Sequence, residues 1–244
     1  MTPSQTHSAP LVLISGASQG IGAEIARQFA ALKVRLALVA RNADKLAEVR
    51  ETCLAVGSCA DIELYPCDVS DADQVAQLHA EVNRRQGAVS VLINNAGQWL
   101  GDPVAAMAVA DFDRIVATNL RSVFLMSKAF VADMCTLGRG DVFTMASTAG
   151  IEGYAGVSAY CAAKHGVMGF CKALREELRG EDIRVCCVLP GPTWSPSWEN
   201  TGVAQETLMP CEDVARAFVH LYQADRNVVT EEWVLRPRGG HISS

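Results

Sequence analysis

From Leu11 onward, short runs of apolar, mostly β-branched residues alternate with longer stretches in which apolar positions recur at threes and fours. The short runs, at 11–14, 34–39, 62–64, 89–93, 142–145, 183–189 and 233–235, predict seven β-strands. The longer stretches, at 21–32, 43–56, 71–85, 111–134 and 159–178, predict amphipathic helices. A strand that is apolar at every position is covered on both faces, and strand–helix–strand alternation forces right-handed parallel crossovers. The pattern therefore predicts one doubly wound α/β domain over 1–244, with about seven parallel strands and helices on both faces. No repeat or linker interrupts it. The polar residues 1–10 read as a flexible tail, and Val234 to Pro237 as an edge strand closed by proline. The one long irregular stretch, 190–210, holds Pro190, Pro192, Pro196 and Pro210 with Trp194 and Trp198, and is predicted to be a substrate lid.

Composition narrows the class. Half of the 244 residues are apolar and 20% are charged, enough apolar surface for a folded core. A net charge of −6, with no basic run longer than two residues, argues against nucleic acid or an anionic membrane as partner. The tail has no cationic and apolar leader pattern, and the apolar runs fall short of the roughly 18–20 residues that span a bilayer. A soluble cytoplasmic protein is expected. Nine cysteines without a C-x-x-C pair suggest free thiols, and Cys186 with Cys187 reads as small hydrophobes in a buried strand. The five histidines show no metal spacing, so no metal is expected.

The first strand runs into Ser15-Gly16-Ala17-Ser18-Gln19-Gly20-Ile21-Gly22 and then a helix. A Gly-rich turn in this place aims backbone N–H groups and a helix N-terminus at a phosphate, although the same pattern could be only a tight turn. About twenty residues on, where a ribose-binding carboxylate stands in NAD sites, the chain has Ala40 and Arg41. A missing acid removes repulsion against a 2′-phosphate and a guanidinium can grip it, which predicts NADP(H); the other reading is a solvated arginine at a strand end. No second basic residue stands in the turn, because Gln19 occupies that place. Tyr160 and Lys164, four apart in a helical segment, share one face, so a cation lies near a phenol that ordinarily titrates near ~10. Alone such a pair is usually surface decoration. Ser147, just past the strand at 142–145, brings a hydroxyl to the strand end where ligands sit in open α/β sheets.

In order, Gly16, Gly20 and Gly22, Asp68-Val69, Asn94-Asn95-Ala96-Gly97, Asn119, Ser147, Tyr160 with Lys164, and Pro190-Gly191 resemble the classical short-chain dehydrogenase/reductase family over nearly the whole chain. The resemblance implies a Rossmann-type domain and an NADP(H)-dependent oxidoreductase that interconverts a carbonyl and a secondary alcohol. Tyr160 would be the acid in reduction and the base in the reverse, and Ser147 would hydrogen-bond the same oxygen. Lys164 would lower the Tyr160 pKa and bind the nicotinamide ribose, and Asn119 would hold a water that relays protons. Gly16, Ser18, Gly20, Ile21, Gly22, Arg41, Asn95, Ala96, Gly97, Pro190, Gly191, Thr193 and Ser195 would complete the cofactor contacts. Asp68 would accept from the adenine amino group with Val69 beside it, and Asp68 alone could instead be a helix N-cap.

The chain departs from the family pattern at Ser15 and Ser195, where threonine is usual, and at Ala163, where a hydroxyl residue usually precedes the lysine. Both serines keep a hydroxyl. The loops around Trp99, 150–154 and 194–209 are apolar and aromatic, and from Gly180 through the lid Arg184 is the only basic residue, which weakens the case for an acidic carrier-bound substrate gripped there. A 3-oxoacyl-carrier reductase remains an alternative, and a catalytically silent dinucleotide-binding subunit is the non-enzyme alternative. The family also implies a homo-oligomer built on the two long helices, a homotetramer first and a dimer second.

Overall fold

The computed structural model describes residues 9–59, 61–198 and 202–240. Seven parallel strands form a single sheet: β1 (Leu11–Ser15), β2 (Arg35–Ala40), β3 (Asp61–Pro66), β4 (Val91–Asn94), β5 (Gly140–Met145), β6 (Ile183–Pro190) and β7 (Glu232–Leu235). Their order is β3-β2-β1-β4-β5-β6-β7, so the winding reverses between β1 and β4, and ligands bind outside the strand ends at such a reversal.

The continuous apolar runs divide residue by residue between two cores. Leu11 and Leu13 of β1, and Val185, Cys187 and Leu189 of β6, face one side with Val142 of β5. Val12, Ile14, Phe143, Cys186 and Val188 face the other. Alternation of side chains along a strand puts the two adjacent cysteines on opposite faces, each as a small apolar filler. Helices α3 (Ala72–Arg85), α5 (Ser122–Leu137) and α6 (Ser158–Glu177) cover the first face. Helices α1 (Gly20–Ala30), α2 (Ala43–Leu54) and α7 (Cys211–Gln223) cover the second.

Two predicted features change. The helix expected at 111–134 is a continuous helical stretch in three parts, α4 (Val109–Val116), a π-helical turn (Ala117–Arg121) and α5. Its 29 residues, Val109–Leu137, are long and apolar enough to cross a bilayer by length and composition alone, which the separate apolar runs of the sequence are not. Val123, Met126, Phe130 and Met134 of this stretch pack into the core. Helix α7 is not among the predicted elements, although Val214, Phe218 and Leu221 recur at helical spacing; its partner is α1, where Phe29 meets Tyr222 at 5.5 Å between ring centroids. The predicted tail is shorter than drawn. Residues 1–8 lie outside the described residues, and Ala9 and Pro10 are already tied to β2, their carbonyls accepting from Arg35 Nε and Arg35 N.

Candidate active site

The turn after β1 and the turn after β4 meet at the reversal point. Gly16 has φ +67°, and a Cβ there would lie 2.8 Å from Ala96 Cα. At Gly22 a Cβ would fall 2.1 Å from the Gly16 carbonyl oxygen, so only glycine lets the first turn of α1 close against the Gly-rich loop. Ser15 and Asn95 stitch the two turns together. Ser15 Oγ accepts from Asn95 N and Ala96 N, both at 3.1 Å, and Asn95 Nδ2 donates to the carbonyls of Ser15 and Gly16 at 3.0 and 3.2 Å. The Asn95 amide donors are thus spent on scaffold.

The stitched turns leave a crevice of about 230 Å³, lined by Gly20, Ile21, Ala96, Tyr160, Lys164 and Ser195 among others. Glycines without room for a Cβ, a helix N-terminus without a side-chain cap at Gln19, and exposed Arg41 at the end of β2 are what a dinucleotide with an extra phosphate requires. The Gly-rich turn is held against β2, with Ala17 N donating to Val39 O at 3.1 Å. Beside it, Lys45 Nζ donates to Gln19 Oε1 at 2.9 Å.

Ser147, Tyr160 and Lys164 come together at the C-terminal end of β5. The half-buried Tyr160 hydroxyl bonds with Ser147, and Lys164 Nζ lies 5.6 Å from the Tyr160 ring centroid. Lys164, 3% exposed, donates to the Met145 carbonyl at 2.9 Å. Burial pushes the Tyr160 phenol up to about 12, against the lowering effect of the Ser147 bond. Burial pushes the Lys164 ammonium down to about 8. Burial thus outweighs the Ser147 bond in setting the direction of the Tyr160 shift.

Asn119, in the π turn, spends its side chain on backbone: Nδ2 donates to Gln98 O at 2.8 Å and to Ile115 O at 3.0 Å, and Oδ1 accepts from Gln98 N. The Cβ missing from Gly97 would lie 2.8 Å from Asn119 Oδ1, so Gly97 lets this loop approach. Asp68 is not a helix N-cap. Asp71 caps α3 through Asp73 N and Gln74 N, whereas Asp68 Oδ1 accepts from the N and Oγ of Ser70. Val69 is buried beside it after β3.

The predicted lid begins at the end of β6. Gly191 N donates to Leu235 O, anchoring the start of the segment to β7. Thr193 turns inward, 6% exposed, with its hydroxyl on the Gly191 carbonyl, so it is not brought to the crevice. Ser195 and Pro196 are, lying over Gly20 at 3.6 Å from where its Cβ would stand. Met209 N on Pro192 O, and Trp194 N on Met209 O, pin the base of the segment; residues 199–201 lie outside the described residues. Trp99 is 60% exposed at the rim. A contact with no sequence signal also appears: Arg236, from the C-terminal segment, bonds Glu152 at 2.5 Å in the loop after β5, and Glu152 accepts from the Tyr154 hydroxyl. A cation from the C-terminal segment thus reaches the loop after β5.

Comparison with known proteins agrees with this geometry. The family model for short chain dehydrogenases matches residues 10–206. A Streptomyces violaceoruber protein named for ketoacyl reductase 1 of the granaticin polyketide synthase is 38% identical over 196 residues, 80% of this chain and 71% of the relative. Sepiapterin reductase of Chlorobaculum tepidum is 31% identical and covers 95% of this chain and 98% of its own. Among solved structures, a metagenomic short-chain oxidoreductase in complex with NADP superposes with a TM-score of 0.83 at 33% identity, covering 94% of this chain and 97% of its own. With the family model spanning most of the chain and the fold shared over 94% of it, this protein belongs to the short-chain dehydrogenase family.

Proposed function

We propose that the chain is an NADP(H)-dependent oxidoreductase that reduces a carbonyl to a secondary alcohol, or runs the reverse, with Tyr160 as acid and base. The observation that carries this reading is the convergence of Ser147, Tyr160 and Lys164 on one strand end beside the glycine cradle. A solved relative of the same family holds NADP, and the two curated relatives above are named as reductases. The cofactor supplies the hydride. Gly16, Ser18, Gly20, Ile21 and Gly22 would hold its pyrophosphate, Arg41 its 2′-phosphate, and Asp68 and Val69 its adenine. Ala96, Gly97, Pro190, Gly191 and Ser195 would complete the contacts on the nicotinamide side. The substrate meets an apolar rim at exposed Trp99 and Ile151.

A phenol that titrates at about 12 is protonated at neutral pH, the form that gives its proton to the carbonyl oxygen as that oxygen gains charge. Ser147 bonds the same oxygen and aligns it with the phenol. Lys164 supplies positive charge behind the phenol and would bind the ribose hydroxyls. Asn119, whose amide hydrogens fix the Gln98 loop, would hold the water that relays protons from Lys164.

Tyr160→Phe tests the reading. Turnover of a ketone panel with NADPH should fall about 10²–10⁴-fold while nucleotide binding is kept. Undiminished turnover in the variant would remove Tyr160 from the acid role. Nucleotide binding by a wild type that reduces and oxidises nothing in the panel would favour the silent subunit.

The finer picture is a cytoplasmic homo-oligomer, a tetramer first and a dimer second, with 190–210 as the lid. Its support is the α5/α6 surface, where solvent-facing Phe124 meets Phe170 edge-on at 6.2 Å, together with free thiols at all nine cysteines. Sedimentation equilibrium checks the assembly.

A further inference from the structure

Arg41 is the one cation that the linear sequence assigns to the 2′-phosphate, yet the fold brings a second to the same edge of the crevice. Asn42 caps α2 by accepting from Lys45 N at 2.9 Å, which sets the first helical turn. From that turn Lys45 reaches back to the Gly-rich loop and donates to Gln19 Oε1 at 2.9 Å. Gln19 lines the crevice and stands at the N-terminus of α1, where it makes no side-chain cap bond. The Ala17 N bond to Val39 O clamps the same loop to β2, two residues before Arg41. Gln19, Arg41 and Lys45 therefore belong to one corner, built from the ends of β1 and β2 and the start of α2.

Both cations of this corner are exposed, and among the described residues neither has a carboxylate partner. That contrasts with Arg27, Arg84, Arg179 and Arg216, each of which is paired with an acid one helical turn away. An ammonium held by a neutral carboxamide keeps its charge uncompensated and has two further protons to donate. Gln19 holds the Lys45 side chain in place without neutralising it, which lowers the ordering cost of meeting an anion.

We propose that Lys45, positioned by Gln19, is a second determinant of NADP(H) over NAD(H), supplying from the first turn of α2 the positive charge that the Gly-rich turn of this chain lacks. The proposal rests on the NADP(H) reading above and adds a residue to it. The ligand chemistry is a ribose 2′-phosphate monoester. Lys45 Nζ would meet its oxygens while keeping the Gln19 bond, and Arg41 would meet them from the β2 side.

The test is a fluorescence titration with NADPH and NADH, and a calorimetric titration with 2′,5′-ADP, of wild type, Lys45→Ala, Gln19→Lys/Lys45→Ala and the charge control Lys33→Ala. Lys45→Ala should weaken NADPH and 2′,5′-ADP about three- to tenfold with less than a twofold change for NADH, and should flatten the salt dependence of NADPH binding. The double variant, which returns a cation to the turn, should recover most of that loss. An NADPH-to-NADH ratio unchanged in Lys45→Ala, or an equal loss in Lys33→Ala, overturns the role of Lys45 and leaves the NADP(H) reading standing. Equal binding of NADPH and NADH by the wild type overturns both.

Discussion

At the N-terminal end of the β5–β6 pair, Asp141 and Arg184 face each other in register and both are 3% exposed. Arg184 Nε donates to Asp141 Oδ1 at 2.7 Å, and its other nitrogens reach the carbonyls of Tyr222 and Ala224, at the end of α7. Arg226 adds a second bond to Asp141 at 2.6 Å and then binds Asp182. At the other end of β5, Lys164 is as deeply buried, donates to Met145 O and has no carboxylate partner among the described residues. The two ends of the same strand thus border a saturated buried charge, at Asp141, and an undersatisfied one, Lys164 of α6. A saturated charge holds elements together, whereas an undersatisfied one has a pKa moved into a useful range and donors left for a ligand.

Removing Asp141 should have the largest effect on stability. Asp141→Ala leaves Arg184 buried with carbonyls alone and should cost about 3–5 kcal/mol in urea unfolding. Lys164→Met should do the opposite, raising stability at pH 7 by about 1–3 kcal/mol while abolishing turnover, since it removes a buried charge with little compensation. A destabilised Lys164→Met would break the contrast.

The pH dependence sharpens it. Lys164 titrates at about 8 in the fold against an ordinary 10.5, so the native state binds fewer protons than the unfolded chain between those values. Its contribution to stability therefore rises from pH 8 to 10.5. The stability gap between Lys164→Met and wild type should accordingly narrow across that window, as followed by denaturant midpoints at each pH. Taking the difference between the two proteins cancels the opposite trend of Tyr160, whose phenol is raised to about 12. The smallest effect is expected at the stitch between the two turns. Ser15→Ala removes the acceptor for Asn95 N and Ala96 N and should cost about 1–2 kcal/mol, with a modest loss of nucleotide affinity.

The legible part of this protein is the part written at short range. Strand positions follow from apolar runs of strand length, and Gly16 and Gly22 from the turn that must follow β1. Tyr160 and Lys164 lie on one face because a helix repeats every 3.6 residues. What sequence could not separate were alternatives of equal local quality. Asp68 and Asp71 both precede α3 with cap chemistry, and only the backbone path decides that Asp71 caps it and Asp68 turns toward Ser70. Thr193 and Ser195 are two residues apart with the same hydroxyl, and the bridge from Thr193 to Met209 turns one inward and leaves the other over Gly20.

By itself the sequence determined the α/β class, the glycine cradle, the Tyr160/Lys164 face and the family, because each depends on residue spacing within one or two elements. Tertiary structure alone decided the partners that come from afar: Lys45 on Gln19, Arg236 on Glu152, α7 on α1 and the ionic cluster under β5 and β6. It also decided the direction of the Tyr160 and Lys164 shifts. Desolvation is set by everything packed around a group, and no spacing along the chain records it.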